Sequence, residues 1–226
     1  MTAIMIYTKL NYMPKETTMK KVILLGDSIR MGYDKYVRES LTEVAEVYYP
    51  AENCKFAQYV LRMILSWKEE FPEEVDLIHW NAGLWDCLRL FEEDPHTPIE
   101  IYAYYIERIC LRIKKLCPNA KVIFATSTSV LSEKMFKDFK RYNEEIEKYN
   151  EVAVGIVTKY GFEVNDLYAV SASLPETAHS DPVHYYTPMG TEVFTKQVLS
   201  FVAPALGMDE PIEYREDMYG NKPIGI

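Results

Sequence analysis

Two short segments of this chain carry residues whose types and spacing suit nucleophilic chemistry. Ser28 stands in Gly26-Asp27-Ser28-Ile29, and an acid and a base stand close together in Asp181-Pro182-Val183-His184. A serine hydroxyl is a poor nucleophile at neutral pH and needs a base within hydrogen-bond reach. Histidine is the usual base, because an unperturbed imidazole titrates at about 6.5. An aspartate then fixes the imidazole tautomer and stabilises the imidazolium. On one loop, the spacing of Asp181 and His184 lets the carboxylate reach the ring nitrogen that faces away from the serine. Each residue also has a plainer reading: Ser28 as a helix N-cap, Asp181 as a turn former before proline, His184 as a loop histidine.

Those residues need elements to bring them together. Val22-Ile23-Leu24-Leu25 is a short apolar run that reads as a buried strand, and Ser28 follows it. The pattern then alternates. A helix is expected from Asp34 to Ala45, a strand over Glu46-Val47-Tyr48-Tyr49, a helix from Phe56 to Glu70 and a strand over residues 76–80. Tyr102, Tyr105, Ile109, Ile113 and Leu116 recur at helical steps. Lys121–Ala125 reads as a strand. Phe139, Tyr142, Ile146, Tyr149, Ala153 and Ile156 predict a second long helix, and Phe162-Glu163-Val164 a last strand. Thr187-Pro188 is an N-cap followed by proline at the first helical position. Alternating strands and helices imply a mostly parallel five-stranded sheet covered on both faces, an α/β/α three-layer sandwich. In such sheets ligands bind beyond the carboxyl ends of the strands, where Ser28 falls. The segment Thr126 to Lys137 is expected to form a specificity loop.

Composition narrows the function classes. The 226 residues are 48% hydrophobic, enough for one domain with a full core. Twenty-five basic residues against 34 acidic ones give a formal net charge of -9 without a basic stripe, which argues against nucleic acid as partner. The cysteines, Cys54, Cys87, Cys110 and Cys117, form no C-x-x-C pair, so no zinc site is expected. Met1 to Thr18 lacks an apolar core of signal-peptide length, and no stretch approaches the ~20 apolar residues of a membrane span. A cytoplasmic protein with reduced thiols is expected. Residues 1–18 are expected to be an added arm, residues 19–207 the globular domain and residues 208–226 a tail packing on it. No G-x-G-x-x-G follows the first strand, which disfavours a dinucleotide-binding domain.

Between about Lys21 and Val202 the chain resembles the SGNH hydrolases, the GDSL esterase family. The first block of that family is matched by Gly26-Asp27-Ser28-Ile29 and the last, Asp-x-x-His, by Asp181-Pro182-Val183-His184. The resemblance implies the flavodoxin-like SGNH fold and a catalytic triad of Ser28, His184 and Asp181. The family's third block, Gly-x-Asn-Asp, is met by Gly83-Leu84-Trp85-Asp86, with Trp85 in place of the asparagine that normally donates to the oxyanion. Asn81, just ahead, is an alternative donor or a hydrogen bonder at the strand end. The second block falls at Glu52-Asn53-Cys54-Lys55, which has no glycine; a backbone N–H of Cys54 or Lys55 is the expected donor there.

Further roles are assigned by position. Asp27 is a candidate for substrate binding or for holding the turn. Arg30 faces either substrate or solvent, Trp85 walls the pocket or joins the core, and Asp86 ties a loop. His79 is expected in the core, His96 on an exposed loop and His179 near the catalytic loop. Tyrosines near Tyr185-Tyr186 could stack on a sugar ring. The resemblance implies a serine esterase acting on small acyl esters, acetylated carbohydrate first, with no metal or organic cofactor. The partner expected is a small-molecule or carbohydrate ester. Two alternatives stand beside it: a non-hydrolytic carbohydrate-binding module and a sugar O-acyltransferase on the same fold.

Overall fold

A computed structural model describes residues 19–215. The expected arm over residues 1–18, and residues 216–226 of the expected tail, lie outside the described residues.

The chain begins with β1 (Lys20–Leu25), whose last four residues are all buried. It turns at once into α1 (Ser28–Ser40) and returns through β2 (Ala45–Tyr48). The helix expected at Asp34–Ala45 therefore starts six residues earlier. The cause is Asp27, whose carboxylate accepts the Ile29 N–H at 2.9 Å and caps the helix directly after the strand. Ile29, Tyr33, Tyr36 and Val37 then bury one helical face, and Ala45 already belongs to β2.

Next come α2 (Ala57–Glu70) and β3 (Leu77–Trp80). The chain continues through β4 (Arg89–Leu90), α3 (Ile99–Leu116) and β5 (Lys121–Ala125). It then passes β6 (Phe139–Lys140), α4 (Asn143–Val157), β7 (Glu163–Asn165), α5 (Leu167–Ala172) and α6 (Pro188–Ala205). The apolar periodicity places Val60, Ile64 and Trp67 of α2 in the core, as expected. It misplaces Phe139, which pairs with Leu90 in an antiparallel ribbon of β4 and β6 instead of opening α4. A two-residue strand shows no period for a sequence pattern to register. Thr187 caps α6 by accepting from the Gly190 N–H at 3.1 Å.

Five strands form one sheet in the order β2-β1-β3-β5-β7, all neighbours parallel. Register aligns apolar residues across it: Ile23 with Ile78, Ile78 with Val122, Phe124 with Val164. Helices cover both faces, α2 against α3 and α3 against α4 on one side and α1 against α6 on the other. Adjacent strand residues show the two faces. Ile23, Leu25 and Ile78 meet Ile64, Trp67 and Ile113 of α2 and α3. His79, the next residue after Ile78, meets the ring of Tyr33 on α1. Burial drives the His79 pKa down to about 3, so it is the neutral core histidine expected. After α6 the chain reaches α1, with Tyr214 stacked on Tyr36 and the Arg215 N–H donating to Ser40 Oγ at 2.9 Å.

Candidate active site

The parallel sheet delivers both chemical segments to one edge. Ser28 is the first residue of α1, directly beyond the carboxyl end of β1. His184 lies on the loop entering α6. His184 Nε2 lies 2.7 Å from Ser28 Oγ, and His184 Nδ1 lies 2.8 Å from Asp181 Oδ2. Ser28 is 8% exposed, largely walled in.

Asp181 is the anchor of this loop. Its Oδ1 accepts the backbone N–H groups of Val183 at 2.8 Å and His184 at 2.9 Å, leaving Oδ2 for the imidazole. Partial burial raises its pKa, but the hydrogen bonds from the His184 ring and from both backbone N–H groups outweigh that and bring it down to about 2. The carboxylate is thus ionised at neutral pH and fixes the ring tautomer that leaves Nε2 as acceptor toward Ser28. The loop is closed by the Ser180 N–H donating to the His184 carbonyl at 2.8 Å and tethered by the Leu131 N–H donating to the Pro182 carbonyl at 2.8 Å.

Tyr186 is tied to both His184 and Ser28. Its ring stacks on His184, with centroids 4.8 Å apart and planes 23° apart, and its hydroxyl donates to the Ser28 carbonyl. A Cβ on Gly32 would meet that ring at 2.7 Å, so glycine there makes room for it. Tyr185 is buried and shares hydrogen bonds with Ser129. His179 packs on Tyr185 with centroids 4.0 Å apart, beside the catalytic loop as expected, and His96 is exposed.

The two backbone N–H groups expected as oxyanion donors are committed elsewhere. The Cys54 N–H donates to the Gly26 carbonyl at 3.0 Å, and the Lys55 N–H to Asn53 Oδ1 at 2.8 Å. Neither serves the oxyanion; Cys54 instead holds the turn that carries Ser28. Asn81 packs so closely on this turn that a Cβ on Gly26 would lie 1.9 Å from its Oδ1. It lies against the Asp27 carboxyl, and its Oδ1 is buried without a hydrogen-bond partner. Burial pushes the Asp27 pKa up, with the Ile29 N–H and Asn81 pulling the other way. Asp27 is fully buried and holds the turn, which excludes the substrate contact considered for it. The Ser28 N–H is open, with no intrahelical acceptor because it opens α1.

Arg30 is also corrected. It is 1% exposed and faces neither substrate nor solvent. It pairs with Asp34 and donates to the carbonyls of Pro50 at 3.0 Å and Glu52 at 2.6 Å, tying α1 to the segment after β2. Trp85 is half-buried, consistent with a pocket wall. Gly83 has φ +147°, and a Cβ there would meet Ser127 Oγ at 2.6 Å. Asp86 accepts the Ala57 N–H at 3.0 Å and so ties its loop to the start of α2, as expected. Of the expected specificity loop, Thr126 to Val130 is buried and anchored, Ser127 and Val130 by the side chains of Asn150 and Asn143. Among the described residues no group of three or more His, Cys, Asp or Glu side chains is gathered for a metal.

No protein-family model matches the sequence, and no curated protein matches it. Solved structures do match. A lipase/acylhydrolase from Enterococcus faecalis superposes with TM-score 0.65 at 19% identity, over 81% of this chain and 95% of that one. A GDSL-like lipase from Bacteroides thetaiotaomicron gives 0.63 at 14% identity, over 82% and 89%. An acetylxylan esterase from Geobacillus stearothermophilus gives 0.62 at 16% identity, over 84% and 95%. The chain therefore has the SGNH hydrolase fold, α/β with a five-stranded parallel sheet.

Proposed function

We propose that the chain is a serine esterase in which Ser28, His184 and Asp181 form the triad. The observation that carries this reading is His184, bridging Ser28 Oγ at 2.7 Å and Asp181 Oδ2 at 2.8 Å. Ser28 Oγ attacks the ester carbonyl while His184 Nε2 takes its proton. His184 then returns the proton to the leaving alcohol as the C–O bond breaks. Water, deprotonated by the same nitrogen, releases the acid from the acyl-enzyme. Asp181 holds the ring and balances the imidazolium charge. The Ser28 N–H, at the positive end of α1, supports the tetrahedral oxyanion. Acetyl esters of carbohydrates are the proposed substrates, a choice supported by the acetyl xylan esterases among the structures of this fold.

Trp85 in the place of an asparagine, and the engaged N–H groups of Cys54 and Lys55, favour a second reading, a non-hydrolytic binding module. Losing one oxyanion donor costs about 2.7–4 kcal/mol, which slows an esterase without abolishing it. The two readings separate on fluorophosphonate labelling with site mapping. The esterase carries the label on Ser28, and Ser28→Ala lowers kcat on p-nitrophenyl acetate by at least about 10³-fold. An unlabelled Ser28 with no turnover of any activated ester decides for the binding module.

A further inference from the structure

Two arginines of this protein are buried in the same neighbourhood and are treated differently by it. Arg30 is 1% exposed and each of its guanidinium nitrogens has an acceptor: Gly26, Pro50 and Glu52 carbonyls and the Asp34 carboxylate. Arg141 is 2% exposed and has one, the Leu84 carbonyl, reached by Nε. One face of its guanidinium lies over the Phe139 ring, 5.0 Å from the centroid. Its two terminal nitrogens make no hydrogen bond and no ion pair among the described residues. Nor are they sealed orphans, since neither is among the buried polar atoms without partners. They retain a little accessible surface inside an otherwise buried residue. A buried guanidinium left without an anionic partner is costly, and native proteins rarely tolerate one.

The open nitrogens sit beside the chemistry. Arg141 holds the carbonyl of Leu84, the residue before half-buried Trp85. The carboxylates whose charge reaches it are Asp27, next to Ser28, and Asp181, next to His184. Neither is close enough to form an ion pair with it. A cation with its face covered, its inner edge tied and its outer edge open is built to receive oxygen acceptors in the plane of the fork.

We propose that Arg141 anchors a carboxylate carried by the ester substrate, selecting anionic esters over neutral ones. The proposal rests on the esterase reading and deepens it by naming a substrate class. A guanidinium fork grips a carboxylate in two places, where a lysine supplies only a point charge.

The test uses matched ester pairs that differ in one charge. Para-acetoxybenzoate and para-acetoxybenzamide place it on the alcohol side, and mono-p-nitrophenyl adipate and its terminal amide place it on the acyl side. The wild type is expected to prefer the carboxylate member of at least one pair by roughly ten- to a hundredfold in kcat/KM. Arg141→Gln brings that ratio close to one, mainly through KM, and Arg141→Lys leaves an intermediate ratio. A wild type with no carboxylate preference in either pair overturns the proposal, whatever the variants do. So does a preference that Arg141→Gln and Arg141→Lys both leave intact. Turnover of none of the four esters, neutral ones included, sinks the esterase reading itself, which is a distinct result.

Discussion

The phenol of Tyr186 joins two residues that the chain keeps far apart: its ring lies on the His184 imidazole and its hydroxyl donates to the Ser28 carbonyl. The Ser28 backbone and the face of the His184 ring are thus held by one rigid side chain. Tyr186→Phe keeps the stack and loses the hydrogen bond. It is expected to destabilise by about 1 kcal/mol and to lower kcat a few-fold. Tyr186→Ala frees the ring as well, and its loss in kcat should exceed its loss of stability. Thermal melts and steady-state kinetics on p-nitrophenyl acetate measure both. Equal kcat in wild type and Tyr186→Ala would show that Asp181 alone positions His184.

Asp181 is the subject of a second prediction. Asp181→Asn retains a group of similar shape but removes the charge and the acceptor that set the ring tautomer. A fall of about 10⁴-fold in kcat is expected. With its pKa held at about 2, Asp181 stays ionised over any practical assay range. Asp181 should therefore add no titration of its own to the acid limb of the kcat/KM profile. The same depressed pKa contributes stability above about pH 4 that is lost as pH falls toward 2. A slope of two on that limb would show that a carboxylate does titrate in the assay range.

Asp86 has the opposite sign. Burial raises its carboxyl to about 7, outweighing the hydrogen bonds from Ala57 and Thr97. Against an unfolded value of about 3.9, the folded state keeps the proton over the interval between. The contribution to stability is full below about pH 4 and is lost as pH rises toward 7. Asp86→Asn removes this titration and keeps an oxygen for the Ala57 N–H. The variant should therefore look better relative to wild type at pH 8 than at pH 5. Denaturant melts at the two pH values check it; a constant difference would place the Asp86 pKa outside that window.

The sheet and the Ser28–His184–Asp181 contacts were legible because both leave strong local marks. Val22–Leu25 and Val122–Ala125 are apolar runs that only a covered strand accommodates, and Asp181 and His184 are near enough in sequence to share a loop. What escaped the sequence was decided by tertiary partners. Whether the Cys54 N–H is free depends on the Gly26 carbonyl, 28 positions back. Whether Arg30 is solvated depends on Asp34 and on the Pro50 and Glu52 carbonyls. Arg141 was hidden because Phe139 was assigned to a helix, which would set Arg141 on a helix surface instead of behind the β4–β6 ribbon. Tyr186 carried a faint signal, two residues after the base and adjacent to the cap of α6. Nothing in the sequence said which ring it would meet.

Two glycines give the last prediction, since the same substitution should act with opposite sign. Gly26 links β1 to the nucleophile turn, and a Cβ there would meet Asn81 Oδ1 at 1.9 Å and Arg30 Cβ at 2.7 Å. Both neighbours are buried and neither is the far end of a flexible chain, because the Arg30 contact is at Cβ and Asn81 is packed against Asp27. Gly26→Ala must move the turn, and a loss of about 1–3 kcal/mol follows from overpacking. Because the turn sets Ser28 against His184, kcat should fall further than stability alone explains. Gly155 lies on the exposed side of α4, with nothing within 4 Å of an added Cβ. Gly155→Ala removes backbone freedom from the unfolded chain at no steric cost and should stabilise by about 0.4–1 kcal/mol with kcat unchanged. Melting both variants beside wild type reads the two signs. A neutral Gly26→Ala would show that the turn yields and that the approach of Asn81 is not what holds Ser28 in place.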